Sequence, residues 1–216
     1  QVNAIYPGYG FLAEDSNFAE MCEKSGFKFI GPTSETIKNM GDKITAKTLA
    51  EEAGIQIVPG YKEDIPDDEE EFKKIAKDIG YPIMIKATAG GGGRGMRVVE
   101  HEDDLISHAE ITMQEAKNAF GNEKIYLEKF IANPRHIEVQ IVGDGKGHAI
   151  HLGTRDCSMQ RRHQKIIEEA PARNINKDSL NKTYEACVNL CKKIKYEGVG
   201  TIEFLYENDE FYFIEM

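Results

Sequence analysis

The chain has 216 residues, of which 40% are hydrophobic and 30% charged, a composition that is typical of a globular protein and argues against disorder. The formal net charge of −10 argues against a nucleic-acid-binding surface over the whole molecule, and the absence of an apolar run of about 18 residues or of a basic leader predicts neither a membrane span nor a secretory signal. The four cysteines show no metal-ligand spacing, which favours reduced thiols and a location in the cytoplasm or an organelle matrix.

The first forty residues show the pattern of a parallel α/β unit. Residues 2–5 and 27–30 are typical of short buried strands, and between them a helix is predicted with Ser16 as its cap and Gly26 as its stop. The loop 6–11 follows the first strand, at the edge where open α/β sheets bind ligands. Its glycines indicate either a small-anion contact or a tight turn from strand to helix.

Two further helices follow this unit. Thr33 or Ser34 is expected to cap the first, and Asp42 the second, which ends near Gly54. Lys43 lies in the first turn of the second helix, where a cation opposes the helix dipole. Such a lysine is tolerated if it reaches a phosphate, although an ordinary exposed lysine explains it as well. An acidic run then leads into a fourth helix.

A glycine-rich loop stands out in the middle of the chain. Gly90–Gly93 are four consecutive glycines between two strand-like runs, 83–85 and 96–99. Successive glycine amides can approach an anion closely, and Lys86 and two arginines add positive charge. The loop is interpreted as a lid over a polyphosphate, with a plain linker as the alternative. Its spacing matches neither a P-loop nor a dinucleotide fingerprint.

The rest of the chain is assigned from periodicity and turn residues. The expected elements are a helix at 102–119, a strand at 125–129, a hairpin of strands 136–142 and 148–153, a turn at 156–158, a helix at 178–195, and a second hairpin of strands 200–207 and 210–216.

Two glutamates interrupt the apolar strands of the last hairpin. A two-residue turn would place Glu203 opposite Ile214, whereas a three-residue loop with a bulge at Asp209 would place Glu203 beside Glu215. Neighbouring carboxylates repel each other unless a cation lies between them, and Mg²⁺ favours carboxylates together with phosphates. We therefore predict the bulged register and a metal site; two solvent-facing glutamates are the alternative.

Two other segments suit a nucleotide or an oxyanion. Residues 159–165 are the most basic stretch of this acidic chain and suit a phosphate or bicarbonate, although a solvated strand has the same composition. Residues 126–131 combine backbone donors with apolar walls that suit an adenine. His136 follows and could reach a ribose or phosphate, although a structural histidine is the more common case.

Seven segments in fixed order resemble the biotin carboxylase component of biotin-dependent carboxylases, within the ATP-grasp superfamily. They read YPGYGFLAED, IGP, GDK, IKATAGGGGRGM, EKFIANPRHIEVQI, RDCSMQRRHQKIIEEAP and GTIEFLYENDEFYFIEM. The resemblance implies an α/β ATP-grasp fold. The implied domains are the end of an N-terminal α/β domain at 1–40, a connecting helix and strand at 41–57, a lid domain at 58–130 and part of a central domain at 131–216.

The resemblance also implies an activity and partners. A biotin carboxylase is a ligase that uses MgATP and bicarbonate, through a carboxyphosphate, to carboxylate biotin on a carrier protein. The implied cofactors are ATP and Mg²⁺ or Mn²⁺, with carrier-bound biotin as the substrate. The implied partners are a biotin carboxyl carrier, a carboxyltransferase and a second copy in a homodimer. The acyl acceptor does not follow from this component.

Site residues are carried over position by position from the resemblance. They are Lys43 and Lys86 with the loop glycines Gly92 and Gly93 for phosphates; Met96, Glu128, Lys129, Phe130, Ile131, His136, Gln160, His163 and Leu205 for the nucleotide; Lys165 for bicarbonate; and Glu203 and Glu215 for the metal. Tyr6 stands where the family usually has histidine. The family's catalytic arginine and base lie beyond Met216, so we expect a fragment that does not turn over alone.

Two other functions remain open on the sequence. One is another ATP-grasp ligase, such as a carbamoyl phosphate synthetase; segment 155–165 matches both families only in part and favours the carboxylase. The other is a non-catalytic nucleotide-binding or interaction module in which the glycine loop is a linker.

Overall fold

The computed structural model describes residues 2–61, 63, 65–66, 68–88, 95–162 and 164–216. The helices are α1 (Ser16–Lys24), α2 (Ser34–Gly41), α3 (Lys43–Glu52), α4 (Glu69–Ile79), α5 (Leu105–Phe120) and α6 (Lys177–Lys193). The strands are β1 (Ala4–Ile5), β2 (Lys28–Phe29), β3 (Gly60–Tyr61), β4 (Ile83–Ala87), β5 (Met96–Val99), β6 (Ile125–Lys129), β7 (Arg135–Asp144), β8 (Ala149–Arg161), β9 (Gln164–Glu169), β10 (Glu197–Glu207) and β11 (Glu210–Glu215).

The chain divides into two compact units. The first contains the chain up to Ile57 together with Arg135–Met159 and Ile167–Met216; the second contains Val58–Pro134 and Gln160–Ile166. The four domain ranges implied by the resemblance stay a prediction. Among the described residues, no helix has both the length and the apolar character that crossing a bilayer requires.

The first unit is built on a sheet in the order β11-β10-β7-β8-β9. Inward-facing residues of β7, β10 and β11 share one core with the buried stripes of α3 and α6. Phe204 and Phe213 are fully buried there, and their rings pack edge to face with centroids 6.4 Å apart. The alternation of buried and exposed residues along these strands leaves their other positions for a polar row.

The hairpin of β10 and β11 has the predicted pairing of glutamates but not the predicted turn. Glu207 pairs with Glu210, so the turn holds two residues, Asn208 and Asp209, at φ 53° and 64°. This left-handed pair is the usual solution for a two-residue hairpin. The register then shifts between Glu203 and Phe204, which leaves Glu203 opposite Glu215. The bulge lies inside the strand rather than in the turn, where the sequence analysis placed it.

The N-terminal part confirms a parallel pair with a helix between its strands. β1 and β2 are parallel, and Ala19, Cys22 and Phe29 form a small core beside them. The predicted cap of α1 is wrong by one residue, because the Asp15 side chain accepts hydrogen bonds from the amides of residues 17 and 18. Thr33 caps α2 and Asp42 caps α3 in the same way.

The second unit contains an antiparallel sheet in the order β3-β6-β4-β5. Ile83, Ile85 and Leu127 are fully buried in its core, together with apolar residues of α4 and α5. Strand β6 has the predicted bounds, whereas the short strand β3 was not predicted. The helix expected over 102–119 begins with a 3₁₀ turn at Glu102–Asp104 before α5.

Strand β8 is longer than predicted and includes the expected turn at 156–158. The chain reverses instead at Arg162, which has φ 52°, and continues as β9. Near the β7–β8 turn, Tyr196 lies in close contact with two glycines, Gly143 of β7 and Gly200 of β10. A Cβ on Gly143 would lie 2.1 Å from the Tyr196 carbonyl oxygen, and one on Gly200 would lie 2.2 Å from its hydroxyl.

Candidate functional site

A row of charged residues crosses the sheet of the first unit. Glu215 of β11 faces Glu203 of β10, Glu203 faces Glu138 of β7, and Glu138 faces Arg155 of β8. Glu138 is only 2% exposed, although carboxylates are rarely buried without a partner. The ladder of the sheet therefore places three acids and one guanidinium side by side on four strands.

His136 adds an imidazole to this row. Its Nε2 lies 3.0 Å from Oε2 of Glu203, close enough for an ion pair, but it makes no hydrogen bond of good geometry among the described residues. Donor atoms of His136, Glu138 and Glu203 all lie within 4.8 Å of one another. Carboxylate oxygens are the ligands that Mg²⁺ and Mn²⁺ prefer, and an imidazole suits Mn²⁺ better than Mg²⁺. The donor set therefore fits one divalent cation.

Arg155 holds the buried acid of the row. Its Nε and one terminal nitrogen both donate to Oε1 of Glu138, and its other terminal nitrogen donates to Oε1 of Gln140 over 2.9 Å. Oε2 of Glu168 lies 3.4 Å from the Arg155 Nε. A guanidinium with several acceptors around it has a fixed orientation, so this part of the row is rigid.

Lys43 lies beside the other end of the row. Burial lowers the pKa of Lys43 below its ordinary value, and the charge of Glu215 opposes that shift. Lys43 is the first residue of α3, where the helix dipole also disfavours a cation. An ammonium held in such surroundings gains from an anion, which is the behaviour expected of a phosphate-binding lysine.

The second unit contains a separate ion pair. Lys86 of β4 and Glu128 of β6 lie with Nζ 2.5 Å from Oε2, and their side chains are 18% and 3% exposed. The sequence analysis assigned them to different parts of the nucleotide, and the sheet register brings them together as diagonal neighbours, because Lys86 pairs with Tyr126. The neighbouring Lys129 donates through Nζ to the carbonyl oxygens of Gly80 and Tyr81.

The other predicted site residues are placed by their strands. Met96 pairs with Lys86, and Leu205 pairs with His136. Gln160 and Lys165 lie in the β8–β9 segment and are partly buried, as are Phe130 and Ile131 after β6. Gly92, Gly93 and His163 lie outside the described residues. The first unit thus brings together Lys43, His136, Leu205, Glu203 and Glu215, and the second brings together Lys86, Met96 and Glu128.

Comparison with known families shows which family the chain belongs to. Residues 42–216 match the model of the carbamoyl-phosphate synthase L chain ATP-binding domain, and residues 1–37 match the model of the biotin carboxylase N-terminal domain. The chain belongs to the carbamoyl-phosphate synthase L chain ATP-binding-domain family, and its N-terminal residues match a biotin carboxylase model. The resemblance inferred from the seven sequence segments is therefore confirmed.

Individual biotin carboxylases are closely similar to the chain. The biotin carboxylase of Pseudomonas aeruginosa is 58% identical over 213 residues, which cover 99% of this chain and 47% of that relative. The chain therefore spans about half the length of the curated relatives it matches.

Two solved structures share the fold. One is a complex of the Campylobacter jejuni biotin carboxylase with β,γ-ATP, which has a TM-score of 0.91 and 52% sequence identity to this chain. The match covers 99% of this chain and 48% of the Campylobacter jejuni chain. The other is the biotin carboxylase domain dimer of Hydrogenobacter thermophilus 2-oxoglutarate carboxylase in complex with MgADP, ADP and bicarbonate. It has a TM-score of 0.90 and 47% sequence identity, and the match covers 99% of this chain and 47% of that domain. The chain has the ATP-grasp fold of these biotin carboxylases.

The sequence analysis missed two members of the charged row, Glu138 and Arg155. Glu138 interrupts the apolar strand Ile137–Val139 in the same way that Glu203 interrupts its strand, so the same signal could have identified it. Arg155 carried no comparable signal, because the strand that contains it was expected to end at residue 153. Its place in the row depends on the register between β7 and β8, which shifts between Val139 and Ile141.

Proposed function

We propose that this chain is the ATP-binding portion of a biotin carboxylase, a ligase that uses MgATP and bicarbonate to carboxylate biotin on a carrier protein. The observation that carries the proposal is the register that sets Glu203 opposite Glu215, next to His136 and Glu138. The three acids outnumber the one guanidinium of the row, so their mutual repulsion favours a further cation, and phosphoryl transfer from ATP needs a divalent ion. Similarity to biotin carboxylases complexed with nucleotides supports the same assignment.

The residues of the first unit would bind the divalent ion and a phosphate. Glu203 and Glu215 would supply carboxylate oxygens, with Glu138 and His136 beside them, and Lys43 would donate to a phosphate oxygen. The ion, when bound, supplies positive charge that stabilises the charge developing on the transferred phosphoryl group. The partly buried Lys43 is suited to this role, because a phosphate would add negative charge that offsets the cost of burying its ammonium.

The residues of the second unit would bind the rest of the nucleotide. An ammonium has three donor positions, so Lys86 can donate to Glu128 and to a phosphate together. The amides of Lys129 and Phe130 already donate to the carbonyl oxygens of Pro59 and Pro82, over 2.7 and 3.1 Å. We therefore assign the backbone donor for the adenine to the amide of Ile131.

The finer roles follow from the family alone and complete the proposal. Gly92, Gly93 and Met96 would cover the nucleotide, Gln160, His163 and Leu205 would contact it, and Lys165 would bind bicarbonate. The carboxylated biotin would then pass to a carboxyltransferase. We propose a cytoplasmic enzyme, or one of an organelle matrix, that forms homodimers. The expectation that the 216-residue polypeptide binds nucleotide without turning it over stays a prediction.

Calorimetric titration with MgATP tests the proposal. Lys86→Ala should weaken MgATP binding at least about tenfold, because a hydrogen bond between charged groups contributes about 1.5–3 kcal/mol. Lys117→Ala is the matched control, since Lys117 also pairs with a carboxylate, Glu123, at 2.7 Å but is largely exposed. Equal affinities for wild type and Lys86→Ala would remove Lys86 from the site. An absence of MgATP binding by the full-length wild type would overturn the proposed function.

A further inference from the structure

We infer that Arg155 sets the charge of the acid row so that a divalent cation binds well with a nucleotide and poorly as a bare ion. The inference rests on the proposed function and assigns a specificity-determining role to a residue that does not itself contact the nucleotide or the ion. It starts from the observation that each acid of the row has its own basic neighbour.

The three acids have three different partners. Glu138 is bonded to Arg155, Glu203 lies 3.0 Å from the His136 imidazole, and Glu215 lies within the electrostatic reach of Lys43. Two of these partners would take part in other interactions during the proposed reaction, because His136 lies in the donor set for the divalent ion and Lys43 is proposed to reach a phosphate. Arg155 is the partner whose charge stays in place.

The positive charge of Arg155 is permanent, and its hydrogen bonds keep it in one position. A guanidinium does not lose its proton in proteins, so Arg155 carries one positive charge under all ordinary conditions. Two of its nitrogens are committed to one oxygen of Glu138, and a third donates to Gln140. Gln140 is itself fixed, because its Nε2 donates to the carbonyl oxygen of Gly200 over 2.7 Å. The guanidinium of β8 is therefore held against the row by two side chains of β7.

Charge counting gives the consequence. Among the contacts described above, Arg155 and Lys43 offset two of the three negative charges that Glu138, Glu203 and Glu215 carry. A bare divalent ion would therefore meet a weak net attraction, whereas an ion that arrives with the phosphates brings negative charge for Lys43 as well. A fourth acid, Glu168, lies 3.4 Å from the Arg155 Nε and has an oxygen within 4.8 Å of Glu138, but its side chain is 43% exposed, so solvent screens its charge more than that of Glu138.

Removing the positive charge should therefore tighten the binding of a bare ion. The guanidinium and a divalent ion repel each other, and this repulsion opposes ion binding even where solvent screens part of it. A residue that merely braced the sheet would act in the opposite direction, because its loss would disorder the acids and weaken ion binding.

The test measures Mn²⁺ binding to the full-length protein by electron paramagnetic resonance, without nucleotide. Arg155→Gln is expected to bind Mn²⁺ at least tenfold more tightly than wild type. Arg155→Lys keeps the positive charge but loses the planar guanidinium, so its affinity for Mn²⁺ should stay within about threefold of wild type. Unchanged or weaker binding by Arg155→Gln, with its fold verified by circular dichroism, would overturn the inference.

A second variant decides the matter if Arg155→Gln does not fold. Arg155→Met removes the same charge but keeps an unbranched side chain, and it should also bind Mn²⁺ at least tenfold more tightly than wild type. Unchanged or weaker binding by folded Arg155→Met overturns the inference alone. Failure of the wild type to bind Mn²⁺ even with ATP present overturns the metal site, and the proposed function with it.

Discussion

Two residues at the tip of the β10–β11 hairpin control how its strands are aligned. Asn208 and Asp209 both have positive φ, a conformation that costs most non-glycine residues free energy. Asp209 is held there by two hydrogen bonds to its carboxylate. The Tyr206 hydroxyl donates to Oδ1 over 2.7 Å, and the side-chain Nδ2 of Asn176 donates to Oδ2 over 3.3 Å. Asn208 keeps its conformation because asparagine tolerates it better than other side chains.

Substitution of Asn208 tests this role. Asn208→Ala should lower the free energy of unfolding by about 1 kcal/mol, because alanine in the left-handed region costs about 1–2 kcal/mol. Asn208→Gly should stay within about 0.5 kcal/mol of wild type, since glycine adopts this conformation readily but loses more entropy on folding. Urea denaturation compares the two variants. Equal stability of Asn208→Ala and Asn208→Gly would show that the turn imposes no strain.

The same hairpin shows how far the sequence could predict the site. The pair Glu203 and Glu215 was predicted because both interrupt apolar strands and because paired carboxylates imply a cation. The means of pairing was predicted wrongly, since an internal bulge leaves no mark in the composition of the strand. The contact of Lys86 with Glu128 was missed for a related reason, because it depends on the alignment of β4 and β6 across forty residues.

At the scale of elements, the β7–β8 hairpin depends on one exposed carboxylate. Asp144 accepts hydrogen bonds from the amides of Lys146 and His148 over 2.7 and 3.0 Å, and its Oδ2 lies 2.8 Å from the His148 Nδ1. The Lys146 amide first, and then the His148 side chain, lower the pKa of Asp144 to about 2. Because these bonds favour the ionised form, the hairpin is stabilised only while Asp144 is charged.

The pH dependence of the hairpin follows from this shift. The pKa of Asp144 in the folded protein lies below its ordinary value of 3.8. The stabilisation that the charged Asp144 gives to the folded state is therefore complete above pH 3.8 and is lost as the pH falls towards about 2. Asp144→Ala should lower the free energy of unfolding at neutral pH, and its difference from wild type should shrink between about pH 4 and pH 2. Denaturant titrations at several pH values measure this, with the exposed-surface variant Glu110→Gln as the control. A difference that does not change with pH would contradict the role of the charge.

Element boundaries were predicted best where one strong pattern acts alone. The run Ile125–Lys129, predicted as a strand, has the bounds of β6, and four of its five residues are buried in the structure. The strand β8 was cut short at residue 153, because Asp156 and Ser158 are turn-forming types. In the structure these side chains bond each other instead, with the Ser158 hydroxyl donating to the Asp156 Oδ1 over 2.6 Å, and β7 supplies the ladder that keeps the backbone extended.

At the scale of the molecule, each unit has a hydrophobic core of its own. The core of the first unit lies on β7, β10 and β11, and that of the second lies between its sheet and the helices α4 and α5. A buried residue therefore stabilises chiefly the unit that contains it, which makes the two units separable in an experiment.

Leu127 tests this separation. It is fully buried in β6, so Leu127→Ala should lower stability by about 2–5 kcal/mol through lost burial and a residual cavity. Hydrogen exchange should accelerate in β3–β6 more than in β7 and β10. Ile111→Ala is the control, because Ile111 is 44% exposed in α5 of the same unit and should change stability by less than about 0.5 kcal/mol. Equal acceleration in both units would show one cooperative core.

The contact of Tyr196 with two glycines constrains the order in which this sequence can change during evolution. The Tyr196 side chain blocks Gly200, because an added Cβ would lie 2.2 Å from its hydroxyl and 2.9 Å from its Cζ, so a mutation of Tyr196 to a residue smaller than phenylalanine would have to precede any change there. Gly143 is blocked by the backbone carbonyl of Tyr196, which every residue possesses, so no earlier mutation at 196 would open that position. One glycine is therefore conditionally replaceable and the other is not, and a library that randomises all three positions together should recover substitutions at 200 only in company with a change at 196.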